Sequence, residues 1–214
     1  MLDSKEIIKA INKAIEPFIM DGGSSFLLTQ YASNHIFRLR IVNNVSLAFN
    51  HYGNGGEHVK VIKWFNDFWL FVEVKFLNPN GAIISLSVFQ GHETDDNKVQ
   101  LFRAEWDDYA DGNLAHAQPH WHLLTNKAIE NTVNSFVEIV PEIKDTFVEV
   151  LKEEKNKGVD LSLFHFAMYG DWPNNQSHIH RIDNENKLAQ WFGGLLGHLK
   201  SELEYLSKKS TIVN

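Results

Sequence analysis

The chain has 214 residues, 43% of them hydrophobic and 22% charged, with a formal net charge of −7 at pH 7. That length can bury one substantial core, and the acidic balance argues against wide, non-specific nucleic-acid binding, which draws on a basic surface. Cysteine is absent, which excludes disulfides, thiolate metal sites and a cysteine nucleophile, so any metal has to be held by nitrogen and oxygen.

The first residues, Met1-Leu2-Asp3-Ser4-Lys5-Glu6, carry mixed charge rather than a continuous apolar run, and no apolar stretch reaches membrane-spanning length. The expectation is a soluble, cytoplasmic protein with no membrane partner. A helix is expected next, with Asp3 as N-cap, Glu6 three residues on, and Ile7, Ile8, Ile11, Ala14, Ile15 and Phe18 on one face up to Pro17.

From about Ser24 to Leu124 β-branched and aromatic runs alternate with turn chemistry, notably Asn66-Asp67 and Asn78-Pro79-Asn80-Gly81. This reads as an antiparallel meander with strands at His35–Val42, Val59–Phe65, Phe68–Leu77, Ala82–Gln90, Val99–Trp106 and Pro119–Leu124, and a flexible turn at Gly53–Gly56. Helical faces follow at Ile129–Val140 and Ile143–Leu151, then a strand at Leu161–Met168. A final helix begins after an Asp183 N-cap. Its stripe of Leu188, Phe192, Leu195, Leu196, Leu199, Leu203 and Leu206 is the strongest helical signal in the chain. Gly193, Gly194 and Gly197 within it cost about 1 kcal/mol each in helix propensity, which suggests close backbone packing there.

The fold class is therefore read as α+β: a largely antiparallel sheet of six or seven strands, with N-terminal, middle and C-terminal helices packed on it. No linker divides the chain, so residues 1–214 are taken as one globular domain.

The segment His116-Ala117-Gln118-Pro119-His120-Trp121-His122 holds three imidazoles, the side chains best suited to proton transfer and metal ligation near neutral pH. Strand alternation puts His120 and His122 on one face, about 7 Å apart at Cα. If this strand pairs with Val99–Trp106, matching apolar with apolar places Arg103 and Glu105 on that same face. Glu73, Lys75, Ser85 and Ser87 extend it into a polar centre bordered by apolar residues, either a solvated row or a polar site covered at its edges by helices.

Two imidazoles sharing a direction can reach one ion, and a third ligand is available from Glu105, His116 or His165. Zinc, manganese or iron(II) would suit such nitrogen and carboxylate donors. Without a metal, one imidazole serves as base and the other as acid while Arg103 stabilises developing negative charge and favours a small anionic ligand. Lys75 reads as an ion-pair partner of Glu73 or Glu105. No His-Glu-x-x-His motif is present, no glutamate follows His122 as in cupins, and paired His-x-Thr or His-x-Ser elements are missing.

Two functional readings follow. The first is a small hydrolase or phosphoryl-transfer enzyme centred on His120, His122, Arg103 and Glu105, with His116 or His165 completing it. The second is a non-catalytic binding or accessory protein whose histidines are polar sheet-face residues.

Overall fold

The computed structural model describes residues 3–19, 27–40, 45–52, 55–77, 81–108, 118–124 and 181–212. By contact the chain groups into two units, Met1–Leu123 with Ala167–Leu199, and Leu124–Phe166 with Lys200–Asn214. The described part of the first holds an α+β arrangement. Its elements are α1 (Ser4–Ile19), β1 (Leu28–Tyr31), β2 (Ser33–Leu39), β3 (Val45–Tyr52), β4 (Gly55–Phe65), β5 (Phe68–Leu77), β6 (Gly81–Gln90), β7 (Val99–Asp108), β8 (His120–Leu123) and the start of α2 (Glu185–Ile212). The second unit contributes Leu124 and the last turns of α2. No helix among the described residues is long and apolar enough to cross a membrane.

Both helices start where a side-chain acceptor meets otherwise unpaired amides. Asp3 Oδ1 accepts from the Lys5 amide at 2.9 Å, and Ile7, Ile8, Ile11 and Ile15 of α1 are buried. Each contributes about 1.5–3 kcal/mol through the apolar area it removes from water. Pro17 does not end α1, which continues to Ile19. The cap of α2 is Asn184 rather than Asp183, its Oδ1 accepting from Asn186 and Lys187 at 2.8 and 3.2 Å. All seven residues of the α2 stripe are buried. At Gly197 an added Cβ would meet the Phe18 ring at 3.4 Å and at Gly193 it would meet Ala14 at 3.8 Å, whereas at Gly194 it would meet nothing within 4 Å. None of these is closer than ordinary van der Waals contact, so the close packing expected at the three glycines does not account for them.

The described strands number eight, against the six or seven expected, and their ladders are antiparallel in the order β1-β2-β5-β6-β7-β8. β1 and β3 are the additions. Gly55 and Gly56, expected in a flexible turn, pair in β4 with Tyr52 and His51. The expected middle helices and the Leu161–Met168 strand lie outside the described residues.

β5 shares one edge with two partners. β4 pairs along Phe68–Leu70 after the tight Asn66-Asp67 turn, and β2 pairs along Glu73–Lys75. The rest of β4 leaves the sheet together with β3 and folds over one face. There Lys98 N–H bonds to Leu47 O at 3.1 Å, and Ala48, Val59, Val61, Trp69, Phe71 and Phe89 form a buried cluster.

The opposite face carries Leu70, Val72, Val74, Ile84, Leu86, Val88, Phe102, Ala104 and Trp106, all buried. The helices lie on this side: Trp106 packs edge-on to Trp191 with centroids 5.3 Å apart, and Trp64 Nε1 donates to Phe18 O at 3.0 Å. The cover over the polar face is thus the β3–β4 hairpin, where helices had been expected at its edges.

Candidate metal centre

β7 and β8 pair with Phe102 opposite Leu123, Arg103 opposite His122, Ala104 opposite Trp121 and Glu105 opposite His120. Arg103 and Glu105 thus share a face with His120 and His122, as apolar matching predicts, because a one-residue slip would carry Trp121 to the polar side. Two rows then run across the sheet, Glu73–Ser85–Glu105–His120 and Phe71–Ser87–Arg103–His122.

The polar centre is not a solvated row. Glu73, Ser85, Ser87 and Arg103 are buried, and the side chains of Glu105 and His120 retain only 15% and 17% of their exposure, while that of His122 retains 43%. The buried charged members, Glu73 and Arg103, are paired, as the cost of desolvating charge demands. Arg38 of β2 donates to Glu73 and Glu57 at 2.6 Å each, bridging the gap that β4 leaves. Burial opposes its charge, but the two carboxylates outweigh that and hold its pKa above the ordinary arginine value. Lys75 pairs with Glu73 at 2.6 Å, one of the partners expected for it.

Three groups converge beside this network. His120 Nε2 and His122 Nε2 are 2.8 Å apart, His122 Nε2 is 2.8 Å from Glu105 Oε2, and His120 Nε2 is 3.8 Å from the same oxygen. Among the described residues they form the one group of histidine and acidic side chains whose ligand atoms fall close enough for a metal ion. A triangle of those sides has a point about 2 Å from all three corners, which is the length of zinc–nitrogen and zinc–oxygen bonds. Three protein ligands would leave a further position for water or substrate.

Arg103 holds the carboxylate. Its Nε is 2.8 Å from Glu105 Oε1 and its Nη2 donates to Oε2 at 3.1 Å, while Nη1 donates to the His51 carbonyl of β3. Its visible contacts orient Glu105 and tie β3 to the sheet. His116 and His165 lie outside the described residues, as do His178 and His180.

Two residues near the centre carry no signal in the sequence pattern. Buried Gln118 directs Oε1 to the Asp107 amide at 3.0 Å and to His120 Nδ1 at 3.3 Å. Asp107 Oδ1 is 3.7 Å from that same ring nitrogen. β7 runs two residues beyond its expected end at Trp106, and the next residue, Asp108, accepts from the Ile182 amide at 2.7 Å and pairs with Arg181 at 3.1 Å. This anchors the approach to α2.

The chain matches no protein-family model, no curated protein and no solved structure.

Proposed function

We propose that His120, His122 and Glu105 bind one divalent cation, and that the centre serves hydrolysis or phosphoryl transfer on a small anionic substrate. The observation that carries this reading is the convergence of two imidazole nitrogens and one carboxylate oxygen at 2.8, 2.8 and 3.8 Å. Zinc, manganese and iron(II) all accept such donors. When bound, the ion supplies a Lewis acid and lowers the pKa of a coordinated water to about 7. The chain's own part is to hold the donors: Arg103 fixes the carboxylate, and the half-exposed His122 leaves a side open to water and substrate.

A second reading is favoured by the 2.8 Å between the two Nε2 atoms, which suits one shared hydrogen. In it the imidazoles act without metal as an acid–base pair.

Elemental analysis of protein purified without a His-tag, together with titration of zinc and manganese, separates the two. The metal reading expects about one ion per chain and its loss in the His120→Ala/His122→Ala variant. An ion retained at full occupancy in that variant overturns it. Absence of binding in the wild type directs attention to the metal-free pair, which a screen of phosphomonoesters and phosphodiesters tests.

A further inference from the structure

We propose that Gln118 is a positioning residue that selects the tautomer of His120, so that Nδ1 carries the hydrogen and Nε2 presents its lone pair to the centre. This rests on the metal reading for its purpose, but not for its geometry.

The argument begins with the amide of Gln118. Its orientation is set by the backbone, because the Asp107 N–H donates to Oε1 at 3.0 Å and an NH₂ group turned to that position would oppose a donor with a donor. The same oxygen is 3.3 Å from His120 Nδ1, so that nitrogen can bond to it only as N–H. Asp107 Oδ1, 3.7 Å from Nδ1, is too distant for a hydrogen bond, yet its negative charge favours a hydrogen on the same side. In the neutral ring the other nitrogen is then an acceptor.

This assignment determines the rest of the centre. With His120 neutral, His122 Nε2 is the donor across the 2.8 Å between the rings, and Glu105 Oε2, also 2.8 Å away, is a second acceptor for that hydrogen. One hydrogen therefore occupies the space among the three ligand atoms. A cation entering there replaces it, and the displaced proton goes to His122 Nδ1 or to water, while His120 needs no rearrangement. Ligating histidines commonly have their second nitrogen held in this way, and removing the holder costs about 10–100-fold in metal affinity.

The test is a long-range ¹H–¹⁵N spectrum of metal-free protein labelled at histidine, joined to zinc titration, for wild type, Gln118→Leu and Gln118→Glu. The wild type should show His120 with its hydrogen on Nδ1. Gln118→Leu should lose that preference and bind zinc about 10–100-fold more weakly, whereas Gln118→Glu, which keeps an acceptor oxygen, should retain the tautomer even if the leucine variant folds poorly. A hydrogen on His120 Nε2 in the wild type, loss of the preference in Gln118→Glu, or unchanged spectrum and affinity in a folded Gln118→Leu overturns the proposal. A wild type with the stated tautomer that binds no cation would instead overturn the metal reading and leave this inference standing.

Discussion

The Arg103 guanidinium lies along the Glu105 carboxylate, with Nε 2.8 Å from Oε1 and Nη2 3.1 Å from Oε2. The two residues are neighbours on one face of β7, and both are largely withdrawn from solvent. Withdrawing a carboxylate from water costs several kcal/mol unless an opposite charge stays beside it.

Arg103→Met should therefore destabilise the fold by about 3–5 kcal/mol, since Glu105 is left without its countercharge and the His51 carbonyl without its donor. Arg103→Lys keeps the charge but not the two-point contact, and should cost less. Adding Glu105→Gln to Arg103→Met should recover part of the loss. Urea unfolding of the four proteins measures this, and a double variant less stable than Arg103→Met would contradict the pairing.

Lys98 yields a prediction with a pH signature. It is buried, its Nζ donates to the carbonyls of His92, Glu93 and Asp95, and it lies 4.8 Å from the centroid of the Trp69 ring. Burial lowers its pKa below the ordinary lysine value of 10.5, with the Asp95 carboxylate opposing. The unfolded chain thus holds this proton more tightly than the folded one, so the contribution of Lys98 to stability increases as pH rises through the interval below 10.5. Lys98→Met should be less stable at pH 7 by about 1–3 kcal/mol, the cost of losing hydrogen bonds to a buried charge. The gap to wild type should widen toward pH 10, and denaturant midpoints against pH would show it.

The shared face of β7 and β8 was legible because Phe102, Ala104, Trp106, Trp121 and Leu123 alternate cleanly with polar residues, and a one-residue slip would split the polar side. β3 was not, because its pattern is inverted. Val45 and Leu47 are exposed while Ala48 and Asn50 are buried, since its inward side sets small Ala48 into the apolar cluster and polar Asn50 against Ser87 and Gln100. The curl of the β3–β4 hairpin has no local signature either: it depends on side chains of β7 bonding to the backbone of His51, about fifty residues away. Gln118 escaped for a similar reason, as its role needs β7 and β8 already paired. The α2 cap was misplaced by one residue because Asp183 and Asn184 are equally good caps by type.

Gly194 offers the simplest stabilising change. It sits on the exposed side of α2, and an added Cβ meets nothing within 4 Å. Gly194→Ala should raise stability by about 0.5–1 kcal/mol, because alanine loses less backbone freedom on forming helix. Gly197→Ala should gain a similar amount, because its Cβ would make ordinary van der Waals contact with the Phe18 ring at 3.4 Å. Thermal midpoints of the two variants check this, and a loss of stability in Gly197→Ala would count against the packing described for α1 and α2.

The closure of β3 over the sheet depends on a buried polar cluster. Gln100 Oε1 accepts from the His51 amide at 2.7 Å, and Gln100 Nε2 donates to Asn50 Oδ1 at 3.0 Å and to Ser87 Oγ at 3.1 Å. Ser87 Oγ donates to Asn50 Oδ1 at 2.7 Å. Such a cluster stabilises only while complete, because each group left without a partner costs about 1–3 kcal/mol. Gln100→Leu removes bonds to three groups at once and should destabilise by about 2–5 kcal/mol, with faster hydrogen exchange at the His51 amide. Adding Asn50→Leu and Ser87→Ala should cost less than the sum of the three single changes, since the later substitutions remove groups already left unpaired. His51 also receives Arg103 through its carbonyl, so loosening β3 should reach Glu105 and the two histidines: on the proposed metal reading, Gln100→Leu should weaken zinc binding in protein that is still folded. Unchanged affinity there would show that Arg103 holds Glu105 without help from β3.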